Sequence, residues 1–247
     1  LVQQATAKHF VGCTLELGGK SPQLIFADAD LDKALPTVVK AIIQHAGQTC
    51  SAGSRILVQK EIYNEFMAQV AELFAKVRVG TPEMDLDCGP VMNVRQQSLV
   101  DGFRTDAIKS GIELLAEGVF ADGLDQNGFW VKPALFGNVP RDHRLACDEV
   151  FGPVLSAIPF DDELDAIRLA NATDYGLVGS VWTKDGNRQQ RVAKRMNCGQ
   201  VFINNYGAGG GVELPFGGMK KSGHGREKGF IALEHFTTTK TIVHHHE

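Results

Sequence analysis

The sequence has 247 residues, 43% of them hydrophobic, which is enough to bury one large α/β core or two small ones. A formal net charge of -4 provides no basic surface for phosphates, so nucleic acid is not expected as a partner. No apolar run approaches the roughly 18 to 20 residues of a membrane span, and no signal segment opens the chain, so no membrane partner is expected either. We expect a cytoplasmic protein that acts on small molecules.

Apolar runs typical of buried strands alternate with segments of helical period along most of the chain. The strand-like runs are PQLIFA, SRILVQ, IELLAEG, WVKPALFGNV, VLSAIPF, LVGSVWT and QVFINN. The helix-like segments are 28–47, 61–77, 94–111, 162–173 and 187–197. In the second of these, apolar residues follow one helical face at Ile62, Phe66, Val70 and Phe74. This alternation predicts one main α/β domain with a parallel sheet covered on both faces.

The last part of the chain does not show this alternation of strand-like and helix-like segments. Residues 206–229 are dense in glycine, although neither GAGGG nor FGG fits a phosphate-binding motif, so we interpret these glycines as sites of tight turns. The β-branched run TTTKTIVHHHE follows, and we predict a terminal strand that pairs with another subunit. His244 to His246 at its end are native residues or a shortened purification tag, and no metal site is predicted.

The cysteines indicate a reduced intracellular protein. They are odd in number, widely separated and form no CxxC pair: Cys13, Cys50, Cys88, Cys147 and Cys198. Cys50 in GQTCSAGSR follows a predicted helix and is surrounded by small residues, which leaves room for a substrate and for backbone N–H groups around an oxyanion. The alternative is an inert buried thiol, since free cysteine is often buried.

A histidine that activates Cys50 would instead make the chain a Cys-His hydrolase. Five histidines lie outside the terminal run: His9, His45, His143, His224 and His235. None of them occurs in a local pattern that marks it as the partner, and this hypothesis is therefore weak.

Two glutamates have surroundings that suit a general base. Glu16 ends the strand-like CTLEL before GGK, and we expect it at the carboxyl edge of the sheet, where α/β folds bind ligands. Glu149 lies in CDEVFGPV at the start of another strand. Either could also be an ordinary surface carboxylate, and either would need a pKa raised by burial to act as a base.

Taken together, four segments occur in the order and roughly the spacing found in the NAD(P)-dependent aldehyde dehydrogenase superfamily: LELGGKSPQLIFADADLDKA, GQTCSAGSR, DEVFGPV and PFGGMKKSGHGRE. The whole chain resembles the C-terminal half of such an enzyme. This resemblance implies a three-layer α/β/α catalytic domain with a mainly parallel sheet and a C-terminal oligomerisation strand. It divides the chain into a linker that ends the cofactor domain (1–20), the catalytic domain (21–223) and a C-terminal helix and strand (224–247), with the N-terminal NAD-binding domain absent.

The resemblance also implies roles for particular residues. Cys50 corresponds to the nucleophile that attacks the aldehyde, and its backbone N–H to one oxyanion donor. Glu16 corresponds to the base that activates water to hydrolyse the thioester. Glu149 corresponds to the carboxylate that binds the ribose of the cofactor, and Phe151 to the aromatic residue against the nicotinamide.

Weaker correspondences concern Gly18, in the cofactor-binding glycine pair after the base, and Phe216, at the border of the substrate tunnel. Gln96 falls near a ribose contact of the family, but Leu99 replaces the lysine that often follows it, so this contact is not predicted. The second oxyanion donor and the adenosine-binding lysine of the family belong upstream of Leu1. We therefore expect NAD or NADP as the cofactor, bound weakly by this chain alone.

The resemblance implies oxidation of a small aldehyde to a carboxylic acid in a homo-oligomer, a dimer or tetramer, when full length. Two alternatives stay open. A dehydrogenase that passes the acyl group to coenzyme A generally lacks the glutamate that Glu16 matches. A fragment that contributes only assembly through its terminal strand would carry out no chemistry.

Overall fold

The computed structural model describes residues 1–125, 127–207 and 211–247. Positions 208–210 of the glycine-rich segment lie outside this description. The α-helices are α1 (Val2–Ala7), α2 (Leu31–Ile43), α3 (Lys60–Lys76), α4 (Val94–Lys109), α5 (Arg144–Cys147), α6 (Glu163–Ala170), α7 (Gly186–Arg195) and α8 (Ile231–His235). The strands are β1 (Leu15–Glu16), β2 (Pro22–Ile25), β3 (Arg55–Gln59), β4 (Arg78–Val79), β5 (Glu113–Glu117), β6 (Val119–Phe120), β7 (Ala134–Gly137), β8 (Val154–Phe160), β9 (Tyr175–Gly176), β10 (Val178–Trp182), β11 (Gln200–Ile203), β12 (Met219–Lys220) and β13 (Gly223–His224).

The main sheet has the strand order β11-β10-β2-β3-β8-β7-β5. Every neighbouring pair is parallel except the edge pair β5 and β7, which is antiparallel and has a register shift between Leu114 and Ala116. The predicted mainly parallel α/β sheet is confirmed. Each strand-like run of the sequence analysis contains one of its strands.

Helices cover both faces of this sheet. The connections through α2 and α3 lead toward the β5 edge, whereas those through α6 and α7 lead toward the β11 edge. Right-handed crossovers that run in opposite directions place their helices on opposite faces. The contacts agree, because α2 packs against α3 and α6 packs against α7. The fold therefore has three layers.

The core fills the space between the helices and the sheet. On α3, three residues of the predicted face, Phe66, Val70 and Phe74, are fully buried, and the fourth, Ile62, is partly buried. Across the sheet, Phe26 and Phe160 form an edge-on ring pair with centroids 5.1 Å apart. A core of this size holds the loops that precede the strands in fixed positions.

Three segments with candidate residues meet at the amino ends of the strands. Glu16 lies before β2, Cys50 before β3 and Glu149 before β8, and these strands run parallel to one another. The expectation that Glu16 ends a strand of the sheet at its carboxyl edge is wrong. The physical reason is that β1 does not join the main sheet: its two residues pair antiparallel with β13.

The carboxyl ends of β2 and β10, where the connections diverge, are occupied by a structural network. Asp28 accepts hydrogen bonds from the Thr183 hydroxyl at 2.8 Å and from the Asp185 N–H at 3.1 Å, and it pairs with Arg188 at 2.9 Å. A ligand would have to displace these partners. In α/β folds, ligands often bind at the carboxyl ends of strands where the connections diverge. In this chain, the side chains at that position connect the strands instead.

The terminal run 237–247 has no helix or strand in the single chain. A strand is defined by a hydrogen-bonded neighbour, so the predicted pairing with another subunit stays a prediction. Within the described residues, no helix is both long and apolar enough to cross a membrane.

Candidate active site

The LELGG segment is held by the glycine-rich end of the chain. The Leu17 N–H donates to the Ser222 carbonyl at 3.1 Å. The Ser222 hydroxyl, fully buried, donates to the Gly18 carbonyl at 2.6 Å and accepts from the Gly176 N–H at 3.0 Å. Ser222 therefore ties the segment before β2 to the chain around β9.

The loop that carries Cys50 begins with an unusual backbone. After α2, a short 3-10 segment contains three successive residues in the left-handed region, His45 (φ 54), Ala46 (φ 52) and Gly47 (φ 70). A Cβ at Gly47 would lie 2.2 Å from the Gly152 carbonyl, so the backbones of the GQTC and FGP motifs touch. Two non-glycine residues in this region store strain that the surrounding packing must hold.

Gly19 lies between the nucleophile loop and Glu149. Its N–H donates to Glu149 Oε1 at 2.9 Å, and a Cβ at this position would lie 2.2 Å from the Cys50 carbonyl oxygen. A Cβ at Gly18 would lie 2.3 Å from Glu149 Oε2. Only glycine permits this approach of backbone to backbone and carboxylate. The structure thus brings together Gly18, Cys50 and Glu149.

The Glu16 carboxylate is shielded from solvent and is not hydrogen-bonded by any described residue. Gly217, the first glycine of the PFGG motif, lies against the Glu16 carboxylate, since a Cβ at Gly217 would lie 2.9 Å from Glu16 Oε1. Burial raises the pKa of Glu16, and the Glu227 carboxylate raises it further, while Arg226 opposes them. An unsatisfied carboxylate with a raised pKa can accept a proton from a molecule that enters the site.

The Cys50 thiol lies within the fields of both carboxylates. Burial raises the pKa of Cys50, Glu149 and Glu16 raise it further, and the backbone N–H groups of Ser51 and Cys50 act in the opposite direction. The thiol is therefore protonated at neutral pH in the isolated chain. No carbonyl of the described residues accepts the Cys50 N–H, which leaves it available as an oxyanion donor.

Glu149 and Phe151 lie on a segment that Gln96 fixes. The Gln96 side-chain amide donates to the Phe151 carbonyl at 2.7 Å and to the Val150 carbonyl at 3.2 Å. Phe151 has φ 53, and its ring is 38% exposed, so one side of it is open to a ligand. Burial raises the pKa of Glu149, whereas the Gly19 N–H and the Lys20 ammonium lower it.

These residues fit the nicotinamide end of a dinucleotide. Gly18 and Gly19 let the backbone approach the Glu149 carboxylate closely, and that carboxylate has an acceptor oxygen, Oε2, beyond the one that Gly19 uses. A carboxylate is a suitable acceptor for ribose hydroxyls, and the half-exposed Phe151 ring is suitable for stacking on a flat heterocycle. The residues present therefore suit this end of the cofactor.

Phe216 lies on the Glu16 side of the site. Its backbone forms two hydrogen bonds with that of Glu227, at 2.7 and 2.6 Å, and its ring is partly buried. This pairing positions Glu227, whose carboxylate acts on Glu16. The structure gives no contact of Phe216 with Cys50.

The sequence did not point to Ser222, Glu227 or Tyr206 as neighbours of the site, and Gln96 was considered only for a ribose contact. The first two lie within the quoted PFGGMKKSGHGRE segment, so that motif contained a signal for them. Tyr206 donates from its hydroxyl to the Ser51 carbonyl at 2.7 Å and thereby fixes the residue after Cys50. Its location next to the nucleophile loop depends on a contact across 155 positions, which no local pattern encodes.

Beneath the site, two buried cations lie side by side. Arg55 is 2% exposed and donates to the carbonyls of Lys20, Leu169 and Ala170 at 3.0 to 3.1 Å. Lys20 is 1% exposed, and burial together with Arg55 lowers its pKa to about 7. The Lys20 ammonium has no hydrogen-bond acceptor among the described residues, and it is coupled electrostatically to Glu149.

The structure does not support a Cys-His pair. His45, the histidine nearest to Cys50 in sequence, is exposed, and no histidine is among the groups that act on the Cys50 thiol. Within the residues that the structure describes, no group of three or more His, Cys, Asp or Glu side chains is placed to hold a metal ion.

Comparison with known sequences gives a consistent assignment. The sequence model described as the aldehyde dehydrogenase family matches residues 1–242. A betaine aldehyde dehydrogenase of Bacillus subtilis (strain 168) is 38% identical over 243 residues, which are 98% of this chain and 49% of that protein. An aldehyde dehydrogenase of Emericella nidulans is 40% identical over 243 residues, which are 98% of this chain and 48% of that protein.

Solved structures agree with the sequences. A Burkholderia cenocepacia protein, provisionally assigned as an aldehyde dehydrogenase, has a TM-score of 0.96 and 57% identity over 98% of this chain and 51% of its own. A betaine aldehyde dehydrogenase from Staphylococcus aureus, solved with NAD+, has a TM-score of 0.89 and is 36% identical; the match covers 94% of this chain and 46% of that one. The chain thus spans about half the length of the relatives that it matches, and its own match to the family covers nearly all of it. The chain belongs to the aldehyde dehydrogenase family.

Proposed function

We propose that this chain carries the nucleophile and the hydrolytic base of an NAD(P)-dependent aldehyde dehydrogenase that converts an aldehyde to a carboxylic acid. The observation that supports this most directly is the position of Cys50, whose thiol is acted on by two carboxylates, Glu16 and Glu149. The overall reaction consumes the aldehyde, water and oxidised cofactor and yields the acid, reduced cofactor and a proton.

In the first stage, the Cys50 thiol gives its proton to water and the thiolate sulfur adds to the carbonyl carbon, which gives the oxyanion of a thiohemiacetal. The Cys50 N–H, which no described carbonyl accepts, stabilises the developing oxyanion. Loss of hydride from the former carbonyl carbon then leaves a thioester on Cys50. This covalent route divides a difficult oxidation into two easier steps.

In the second stage, Glu16 takes a proton from water, whose oxygen attacks the thioester carbon. The C–S bond then breaks and the proton on Glu16 passes to the leaving sulfur, which releases the acid and the Cys50 thiol. The absence of a hydrogen-bond donor on the Glu16 carboxylate supports this role, since a base already saturated with donors would be weak. The raised pKa of Glu16 makes it a stronger base than an ordinary glutamate but also requires a higher pH for its ionised form.

NAD or NADP would accept the hydride when bound. Glu149 would hold the nicotinamide ribose through its carboxylate, and the open side of the Phe151 ring would contact the nicotinamide. Gln96 would act indirectly, since it holds the two carbonyls of the loop on which they lie. We further propose that this chain expressed by itself binds the cofactor weakly, because it provides contacts for the nicotinamide end only.

The domain boundaries, the oligomeric state and the location in the cell are also part of this proposal. The boundaries at 20/21 and 223/224 divide linker, catalytic domain and C-terminal segment, although β1 and β13 pair across both of them. The whole enzyme is proposed to be a cytoplasmic homo-oligomer in which 237–247 forms the intersubunit strand.

The complete gene product provides the test of catalysis. Wild type is expected to form NADH or NADPH from an aldehyde, and Cys50→Ala is expected to reduce the rate to background, while Cys198→Ala, the matched control, retains the rate. Glu16→Gln should give one equivalent of reduced cofactor followed by slow turnover, with the acyl group found on the Cys50 peptide by mass spectrometry. Oxidation that survives Cys50→Ala contradicts the proposal.

The same assay separates the alternatives. Added coenzyme A should leave the product a free acid; formation of acyl-CoA instead would favour the acyl-transferring class. An assembly fragment predicts no oxidation by any form of the protein. A Cys-His hydrolase predicts ester cleavage that requires no nucleotide and is lost in a histidine variant.

A further inference from the structure

A cleft of about 300 Å³ lies directly beside the nucleophile loop. Its walls are one face of α2, the two neighbours of Cys50 in the chain and the segment after β11. The α2 residues are Pro36, Thr37, Lys40, Ala41 and Gln44, and the others are Thr49, Ser51, Asn205, Tyr206 and Gly207. The cleft reaches the residues on both sides of the nucleophile and is large enough for a small substrate.

The nucleophile end of the cleft is well ordered. The Thr49 and Ser51 hydroxyls lie 3.3 Å apart, so these two side chains point to the same side of the loop. Tyr206 lines this end and fixes the loop by donating its hydroxyl hydrogen to the Ser51 carbonyl at 2.7 Å. A molecule in the cleft therefore extends away from Cys50 along α2.

The charge of the cleft is carried by Lys40. It is the one ionisable side chain besides Tyr206 among the described lining residues, it is exposed, and no described residue forms an ion pair with it. Lys40 precedes Gln44 by one helical turn, which places it about 6 Å farther along the axis from the nucleophile loop. The adjoining groove adds one lysine, Lys76, the imidazole of His45, and one carboxylate, that of Asp87, which already accepts the Arg78 N–H.

The lining is poorly suited to a cationic or a large apolar substrate. Quaternary ammonium groups are bound by cages of aromatic rings, whereas Tyr206 is the only aromatic residue among the described lining residues. A cation would also meet the Lys40 ammonium. The Gln44 amide, and the NH2 group of the Asn205 amide whose oxygen accepts the Tyr206 N–H, can instead donate hydrogen bonds to an anion.

We propose, on the basis of the function proposed above, that this cleft receives the non-reacting end of the aldehyde and that Lys40 selects aldehydes that carry a carboxylate. The substrate is then a short oxo acid. Its carbonyl carbon lies at Cys50, and its carboxylate accepts a charge-assisted hydrogen bond from the Lys40 ammonium. Lys40 is a specificity-determining residue and takes no part in the chemical steps.

The first test uses this 247-residue chain and does not depend on turnover. Alkylation of Cys50 by iodoacetate, an anion, is compared with alkylation by iodoacetamide, its neutral analogue, by mass spectrometry of the Cys50 peptide. Lys40→Gln is expected to lower the iodoacetate to iodoacetamide rate ratio about threefold at low salt, as befits one exposed charge. Lys33→Gln removes an exposed lysine of the same helix that pairs with Asp30, and should leave the ratio unchanged.

The second test uses the complete gene product with 4-oxobutanoate, butanal and betaine aldehyde. The value of kcat/KM should be highest for 4-oxobutanoate, and Lys40→Gln should lower its ratio to that of butanal roughly tenfold, the effect of one hydrogen bond to a charged group. Lys33→Gln again serves as the control.

The possible failures are distinguishable. Preference for butanal or betaine aldehyde, or a ratio that Lys40→Gln does not change in either test, overturns the carboxylate assignment and leaves aldehyde oxidation intact. Failure to oxidise all three aldehydes overturns the proposed function, and the assignment of the cleft falls with it.

Discussion

Gly19 and Glu149 are joined by a hydrogen bond of 2.9 Å between the glycine N–H and Oε1 of the carboxylate, across 130 positions of the chain. The same glycine touches the Cys50 carbonyl oxygen. One residue without a side chain therefore sets the separation between the proposed nucleophile and the proposed ribose-binding carboxylate.

Gly19→Ala should disrupt this arrangement. Its Cβ would lie 2.2 Å from the Cys50 carbonyl oxygen, and the loop would have to move by about 1 Å to accommodate it. A displacement of this size is expected to reduce kcat/KM of the complete gene product about a hundredfold.

Gly102→Ala on α4 is the matched control. No atom lies within 4 Å of a Cβ there, so this change should stabilise the helix by up to ~1 kcal/mol and leave activity unchanged. Steady-state kinetics and urea unfolding measure both variants. Normal kinetics for Gly19→Ala would contradict the tight contact.

The sequence predicted the elements and the four motifs because these depend on local patterns of apolar residues and on short ordered segments. The location of Glu16 could not be predicted in this way. The run CTLEL has the alternation of a sheet strand, yet only two of its residues form a strand, and their partner is Gly223–His224, some 200 positions away. Pairing at such a distance depends on tertiary packing.

The sequence predicted which residues form the site but did not predict the contacts that hold those residues in place. Cys50, Glu16 and Glu149 lie in recognisable motifs, whereas the bonds of Gln96 to the Val150 and Phe151 carbonyls are unrelated to any motif. The left-handed backbone at His45 and Ala46 was likewise unpredictable, because non-glycine residues adopt it only when packing compels them.

The reactivity of Cys50 should depend on its neighbouring carboxylates. Because Glu149 raises the pKa of Cys50, Glu149→Gln should lower that pKa and accelerate alkylation of Cys50 by iodoacetamide at neutral pH. Cys88 and Cys198, whose pKa burial raises to about 12, should stay unreactive in the folded chain.

Peptide mass spectrometry as a function of pH measures all three thiols at once. Glu65→Gln, an exposed glutamate on α3 that does not act on Cys50, should leave the profile of Cys50 unchanged. A Cys50 rate that is the same or slower in Glu149→Gln would show that this carboxylate does not control the thiol.

Arg55 should contribute strongly to stability. It is fully buried and donates to three carbonyls, two of which, those of Leu169 and Ala170, are at the end of α6; the Leu169 carbonyl also accepts the Ala172 N–H at 3.2 Å. Arg55→Met leaves the Lys20 and Ala170 carbonyls without this donor in the interior and removes one donor from Leu169, and the free energy of unfolding should fall by roughly 3 kcal/mol.

Arg195→Met, at the exposed end of α7, is the control and should change the free energy of unfolding by less than about 0.5 kcal/mol. Denaturant unfolding monitored by circular dichroism compares the two variants. Equal stabilities would mean that the carbonyls around Arg55 find other donors.

Asp165 should make stability depend on pH in the acidic range. Burial raises its pKa, but the hydrogen bonds from Arg141 and Arg168 and from the Asp161 N–H outweigh this and lower the pKa from 3.8 to about 2. The ionised side chain is thus favoured in the folded state, by roughly 2 kcal/mol. This contribution is complete above about pH 4 and is lost as the pH falls toward 2, because the unfolded chain binds the proton first.

Asp165→Asn should therefore be less stable than wild type at pH 7, and the difference should shrink steadily between pH 4 and 2. Asp174→Asn is the control, since Asp174 is exposed and its pairing with exposed Lys221 contributes little, so the variant should differ little from the wild-type curve. Thermal unfolding measured from pH 2 to pH 7 compares the three proteins. A difference between Asp165→Asn and wild type that stays constant with pH would show that Asp165 acts through packing and that its ionisation is not coupled to folding.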